Sequence, residues 1–539
     1  MLLLESSAGV GRDAPGPSRD PQEYKERNAM ELELNTTHLN CYDTVLDTTL
    51  FHEETLETIV PDACPDILRI VDCEAMVCLK GKEAQEGRAE ISGSVRAAVL
   101  YLPDGAEGVR RMTVTIPFTC SAEALGIHAG CLVTAMPRVH SADARSLNPR
   151  KVLTRVDLAV EVSVFARQTE SLCDGVTCPA EGGIQQLTET QNAYLVTAVE
   201  EKPFSFSDDV SISGAKPRAE ELLKSRADIE CSESKLIGNK LIFKGEVHLQ
   251  LLYRDPSNTL CPASFDLPFS QIMEVSSVEE EADCALQVQL TGCECILNDG
   301  NDGDSMISVA LALLAQAVVR EVRPVQLLSD VYSTVCGLHA ERRTYTFHQL
   351  VENGERRVMV REILETMTAA RSVADIYVNV GGASQTREGE RVTLTADTTV
   401  TVVYIGEDGG LSTITRPLQA ACPVDLPGDC AVTCRCRLGG ERFATPAGGG
   451  VEVRYSIDFQ YLALTARNTT GVSDIQMDED SPRDTANQPS IVLRMVGEGE
   501  RLWDIAKAYG TTTGDIVQAN ALEEESLPMG QLLLIPKKR

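Results

Sequence analysis

Apolar and polar residues alternate along most of this chain, and the alternation recurs. Three segments can be laid over one another on a tyrosine: Tyr101, Tyr253 and Tyr404, spaced 152 and 151 residues apart. Counting back in twos from Tyr101 gives Val99, Ala97, Val95, Gly93 and Ile91. The second segment gives Leu251, Leu249, Val247, Gly245 and Phe243, and the third Val402, Val400, Thr398, Ala396 and Leu394. Positions between them are largely polar in the second and third, as with Glu246, His248, Gln250, Asp397, Thr399 and Thr401. Period-2 alternation of this length predicts a strand with one buried face. The small residues eight before each tyrosine predict a bend or a close backbone approach.

Each tyrosine leads into a turn: Leu102-Pro-Asp-Gly105, Arg254-Asp-Pro-Ser-Asn258 and Gly406-Glu-Asp-Gly-Gly410. These supply the positive-φ residues that hairpins need. A second strand follows and closes near Pro117, Pro268 and Pro417, with Phe118, Phe269 and Leu418 one residue on. A third alternating strand ends each unit, centred on Val160, Leu311 and Ile457. Phe51, Phe206 and Phe347 sit at similar lead-in positions, 16 or 17 residues before Leu68, Leu222 and Ile363. The tyrosines continue the apolar face and are expected in the core. Three copies of one β-rich module therefore fill about residues 30–472.

The last fifty residues follow a different period. Ile491–Val496 reads as a strand, Gly497-Glu-Gly499 as a turn, and Leu502, Ile505, Ala506 and Tyr509 as the apolar stripe of a short helix. Gly510 is placed to stop that helix, and Thr513 to cap a second one over residues 514–520. Gln531–Ile535 before Pro536 closes the domain as a strand. Trp503 lies one residue off the helix stripe, with Lys507 four residues on, and is expected as a partly exposed anchor for a partner.

Charge narrows the function. The chain has 80 acidic and 49 basic residues, a formal charge of −31, which argues against nucleic acid or anionic lipid as the main partner. No apolar run reaches the ~20 residues of a membrane span, and Met1–Val10 lacks the basic start of a signal peptide. Residues 1–29 are rich in Gly, Pro and charge and read as a disordered lead, with Met30 as an alternative start. The 18 cysteines are scattered; the closest pairs, Cys293/Cys295 and Cys434/Cys436, lack metal-site spacing and read as small buried hydrophobes. Asn298–Asp304 has a calcium-like look, but Gly303 falls at the fifth position and Ala310 at the twelfth, so it reads as a polar turn. No phosphate-binding loop, zinc-protease motif or nucleophile elbow occurs. No catalytic residue, metal or cofactor is expected, and the chain reads as a non-enzyme.

The tail, with Gly499-Glu-Arg-Leu-Trp-Asp-Ile-Ala-Lys-Ala-Tyr-Gly510, Asp515-Ile516, Asn520 and Leu534-Ile-Pro536, resembles a LysM domain. With three preceding repeats, the whole resembles the SPOCS-plus-LysM proteins of endospore-forming bacteria, spore-coat morphogenetic factors of the SipL type. The resemblance implies a mainly β fold of three SPOCS modules and a C-terminal β-α-α-β LysM domain. Expected boundaries are modules at 30–170, 171–336 and 337–472, an acidic linker at 473–489 and the LysM domain at 490–539. It further implies a scaffold in the mother-cell cytoplasm, recruited to the forespore surface, whose LysM docks on a SpoIVA-like coat ATPase among other coat proteins. The alternative is binding of peptidoglycan or N-acetylglucosamine oligomers. In glycan-binding relatives the turn carries a small hydroxyl where this chain has Arg501, which argues against sugar. The expected LysM contact surface is Gly499, Glu500, Arg501, Leu502, Trp503, Asp504, Lys507 and Asn520.

Overall fold

The computed structural model describes residues 32–178, 183–212, 216–276, 282–299, 305–482, 489–522 and 527–537. The expected disordered lead and most of the Asn298–Asp304 turn lie outside these residues. Between Glu33 and Pro482 one six-stranded pattern is built three times. The first unit holds β1 (Glu33–Ile59), β2 (Ile67–Gln85), β3 (Arg88–Pro103), β4 (Arg110–Glu123), β5 (Leu132–Asn148) and β6 (Lys151–Thr177). The second holds β7 (Ile184–Ile212), β8 (Glu221–Ile237), β9 (Lys240–Arg254), β10 (Leu260–Glu274), β11 (Asp283–Asp299) and β12 (Ser305–Ser333). The third holds β13 (Cys336–Glu365), β14 (Ala370–Glu388), β15 (Arg391–Gly406), β16 (Leu411–Asp425), β17 (Ala431–Ala447) and β18 (Gly450–Pro482). In each, a three-stranded meander (β2-β3-β4, β8-β9-β10, β14-β15-β16) packs on a second sheet in which the last long strand lies between the first and the fifth.

The three tyrosines sit where alternation puts them, buried on the central meander strand. The hydroxyls of Tyr101 and Tyr253 donate to the carbonyls of Pro65 and Pro217, at 3.3 and 3.0 Å. The small residues eight before them answer a real constraint. A Cβ at Gly93 would stand 2.4 Å from the Phe118 ring, and one at Gly245 2.3 Å from the Glu230 carbonyl. In the third unit Ala396 faces Ala420 instead of a ring, so a methyl fits.

Three details differ from the sequence expectation. Pro417 faces Thr399, whereas Pro117 faces Ser94; counted from the tyrosine, the third proline is two residues out of step, which leaves its face unchanged. Phe347 precedes the bulge of its long strand while Phe51 follows the corresponding one, so these phenylalanines are not equivalent. Residues 473–482, expected as linker, continue β18: Asp474 pairs with Glu341 and Asp478 with Gly337. Acidic composition was a poor guide because a long strand already paired on β13 can carry charge on its solvent face. The last long strands of the three patterns end at Thr177, Ser333 and Pro482.

The units join through equivalent positions. The first strand of each meander carries a bulge after Ile70, Leu222 or Val373, residues that face the three tyrosines. The bulged residues Val71, Leu223 and Ala374 meet Leu100, Leu252 and Val403 in one apolar cluster. A bulge re-aims a side chain without breaking the ladder, which is how a residue leaves its own unit's core to join this one. The next position carries Asp72, Lys224 and Asp375, and two further on stand Glu74, Arg226 and Tyr377. These meet as well. Lys224 Nζ binds Asp72, Glu74 at 3.1 Å and Asp375 at 3.0 Å. Arg226 binds Glu74, and the Tyr377 hydroxyl donates to Asp72 at 2.9 Å. Burial alone would lower the Lys224 pKa, but Asp72, Asp375 and Glu74 outweigh it and hold the ammonium charged.

Candidate functional site

The tail forms β19 (Ile491–Met495), α1 (Leu502–Tyr509), α2 (Thr513–Asn520) and β20 (Leu532–Pro536), with β19 and β20 antiparallel. Gly510 ends α1 at φ 64°, where only glycine is unstrained. The cap of α2 is Thr512, one residue earlier than the sequence suggested; its Oγ1 accepts from the Asp515 N–H at 3.0 Å. Among the described residues no helix is long and apolar enough to cross a membrane, and no His/Cys/Asp/Glu cluster could hold a metal. Each of the 18 cysteines is buried or half-buried.

Several of the expected contact residues hold the domain together. Leu502 is buried in the core with Ile505, Ala506, Ile516, Leu533 and Ile535. Gly499 takes φ 72°, and the Glu500 carboxylate receives the Gly497 N–H at 2.9 Å and the Arg494 guanidinium at 2.5 Å, closing the turn. Asn520 receives the Leu534 N–H at 2.7 Å and donates to the Leu534 and Ile516 carbonyls, tying α2 to β20. Arg501 and Asp504 lie exposed, paired at 3.1 Å, and that bond holds the Asp504 carboxyl below its usual range.

Trp503 is where the structure departs most from expectation. The indole is 8% exposed, because the second unit covers it. Its Nε1 donates to Asp330 Oδ2 at 2.8 Å, and its ring meets Tyr332 edge-on at 4.9 Å. Lys507 reaches the same carboxylate at 2.7 and 2.8 Å, as does Arg342 at 2.6 Å. The Tyr332 hydroxyl donates to the Thr511 carbonyl at 2.7 Å. Burial would raise the Asp330 pKa, but the bonds from Lys507 and Trp503 outweigh it and lower it. Trp503 is buried along with Leu502, Ile505 and Ala506, and helix periodicity does not show that the second unit covers it. The available signal was Asp330 itself, an acid between Leu327-Leu328 and Val331-Tyr332 in a buried run.

Two surfaces of the head stay open. A polar cleft of about 580 Å³ separates it from the array, with Arg342, Arg467, Arg501, Asp504 and Glu189 in its walls. The outer face of the small sheet is apolar, where Ile491, Leu493, Met495 and Leu532 are each more than half exposed.

The comparisons agree with this division. The family model described as SipL, SPOCS domain matches residues 66–146 and again 218–298, and the LysM domain model matches residues 495–536. The two SPOCS matches span β2 to β5 and, from just before β8, to the end of β11, the same four strands of the first and second units. No curated protein and no solved structure matches the chain. SPOCS and LysM are sporulation-related and binding domains respectively.

Proposed function

For a chain that carries two SPOCS domains followed by a LysM domain, we propose a non-enzymatic scaffold or adaptor of spore coat assembly. The third unit is read as a third SPOCS module, supported by its identical strand order and its bulge opposite Tyr404. The array gathers coat proteins, and the LysM head docks on a coat morphogenetic ATPase of the SpoIVA type at the forespore surface, from the mother-cell cytoplasm. The observation that carries this reading is the SPOCS–LysM combination in one chain. On the head, Arg501, Asp504 and the apolar face of β19 and β20 are open to such a partner, with Gly499, Glu500, Leu502 and Asn520 shaping the surface beneath. Trp503 and Lys507 take part only when the head leaves Asp330. Linking a weak head contact to the array's own contacts raises avidity through effective concentration.

Capture of the purified coat ATPase on immobilised full-length protein tests the reading. Binding is expected, and its persistence after removal of residues 490–539 would sink the head's role. The second reading, glycan binding, is favoured by the LysM match alone. Saturable binding of N-acetylglucosamine oligomers by the full chain would establish it.

A further inference from the structure

The seam between the first and second units forms a partly open pocket of about 200 Å³. One wall is the outer face of β3 and β4, where Arg96 faces Thr115, Ala98 faces Thr113 and Leu100 faces Arg111. Arg96 and Arg111 therefore flank Thr113 on one surface, both half-buried and both lining the cavity, opposite Ser225 of β8. Neither guanidinium makes a hydrogen bond or ion pair with any described residue. The other cations there, Lys224 and Arg226, are already neutralised by Asp72, Glu74 and Asp375. Glu294 lines the cavity but lies beyond ion-pair distance of either arginine, and Glu221 is committed to Arg254 at 3.2 Å. Burial lowers the Arg111 pKa and Arg96 lowers it further against the pull of Glu221, as expected for two like charges without a counter-ion.

The repeat supplies an internal control. Counted from the tyrosines, Arg96 of the first unit corresponds to His248 of the second. At the seam between the second and third units, His248 has its counter-charges built in: Asp266 at 2.7 Å and Glu230 at 3.3 Å. The first unit has Thr115 where Asp266 stands, Cys78 where Glu230 stands, and Arg111 where the second has Pro262. Both acids are gone and a second cation is added, in a chain whose formal charge is −31. Leaving two half-buried guanidiniums unpaired is costly, and an anion from solution removes that cost.

We propose that this cavity binds a small tetrahedral oxyanion, inorganic phosphate or a phosphoryl group of that size. The forks of Arg96 and Arg111 hold two edges, and the hydroxyls of Thr113 and Ser225 donate to the remaining oxygens. The volume suits one such group rather than a nucleotide, whose sites run to ~300 Å³ and more.

Calorimetric titration of the full-length protein with inorganic phosphate, at ionic strength held constant with chloride, tests the site. Saturable binding is expected, weakened ~10-fold or more in Arg96→Gln and in Arg111→Gln and tightened in Glu294→Gln. Arg111→Lys keeps the charge without the fork and is expected to fall between wild type and Arg111→Gln. Without phosphate, Arg111→Gln is expected to melt at or above the wild-type temperature, since it relieves repulsion. Two results would overturn the proposal. One is the absence of a phosphate response beyond that to chloride. The other is equal phosphate affinity in wild type and both glutamine variants, which would place the binding elsewhere. A phosphoserine peptide run alongside separates the sources: binding as tight as inorganic phosphate would assign the site to a partner's phosphoryl group.

Discussion

The joints inside the array and the joint between array and head are made differently. Units meet through equivalent residues: an apolar ring of Val71, Leu223, Ala374, Leu100, Leu252 and Val403, next to a buried ionic cluster centred on Lys224. The head meets the array through one carboxylate, Asp330, shared by Trp503, Lys507 and Arg342, with Tyr332 alongside. The first joint takes Lys224, Arg226, Asp72, Glu74 and Asp375 largely out of water. The second buries one indole and leaves Lys507 and Arg342 more than one-third exposed, so a competing surface has little to displace. Burial of charge and exposure of charge thus fall at different joints of one chain.

The largest effect is expected at the array joint. Lys224→Met leaves Asp72, Glu74 and Asp375 buried without their common cation, and breaking such a cluster costs about 3–5 kcal/mol. Urea unfolding of the full chain followed by circular dichroism checks it; a loss below ~1 kcal/mol would mean the units are held by the apolar ring alone.

Asp330→Asn comes next. It preserves shape and removes the charge that Lys507 and Trp503 share, an interaction class worth ~1.5–3 kcal/mol per bond to a charged group. Trp503 is the only tryptophan, so its emission reports the head alone. The expected result is a red shift as the indole meets water, with the array's unfolding midpoint unmoved. An unshifted spectrum would show that Tyr332 and the apolar contacts hold the head without the carboxylate.

Acid offers the same break without mutation. The folded Asp330 pKa is depressed below its unfolded value, so docking draws on the charge at any pH above the ordinary carboxylate range and loses it as pH falls through the folded pKa. Trp503 emission should stay constant from neutral pH down to ~4 and shift red below it. His248 runs the other way. Burial lowers its pKa, but Asp266 and Glu230 outweigh that and raise it, so its contribution to the pairing of β8, β9 and β10 is full below ~6.5 and fades as pH rises beyond the folded value. A red shift of Trp503 at alkaline rather than acid pH would place a different group at the head joint.

Much of the array was legible because alternation reports burial directly: Tyr101, Tyr253 and Tyr404, and Gly93 with Gly245, could be aligned from the pattern alone. The joints were not legible in the same way. Asp72, Lys224 and Asp375 differ in identity because they are complementary rather than repeated, so a search for sameness passes over them. Trp503 and Lys507 were singled out by their helix positions, yet their partner lies 173 and 177 residues away, a distance no local period encodes. The lead-in phenylalanines misled because Ile363 lies on β13 whereas Leu68 and Leu222 lie on β2 and β8, so equal spacing puts Phe347 opposite Arg467, far along its strand from the place where Phe51 faces Ala159.

The smallest expected effect tests whether the head's open side is independent of its docked side. Arg501 and Asp504 form an exposed pair, 59% and 48% accessible, one helical turn apart at the start of α1. Such pairs contribute little, so Arg501→Ser should change stability by no more than ~0.5 kcal/mol. It should also leave Trp503 emission where it is, because among the described residues the ion pair of Arg501 with the array is to Glu189, at 3.9 Å, and not to Asp330. If the coat ATPase binds through this side, capture should weaken in Arg501→Ser while emission stays fixed, which separates the two faces cleanly. A red shift accompanying the weakened capture would instead tie the cleft to the Asp330 joint, and the head would have one working face rather than two.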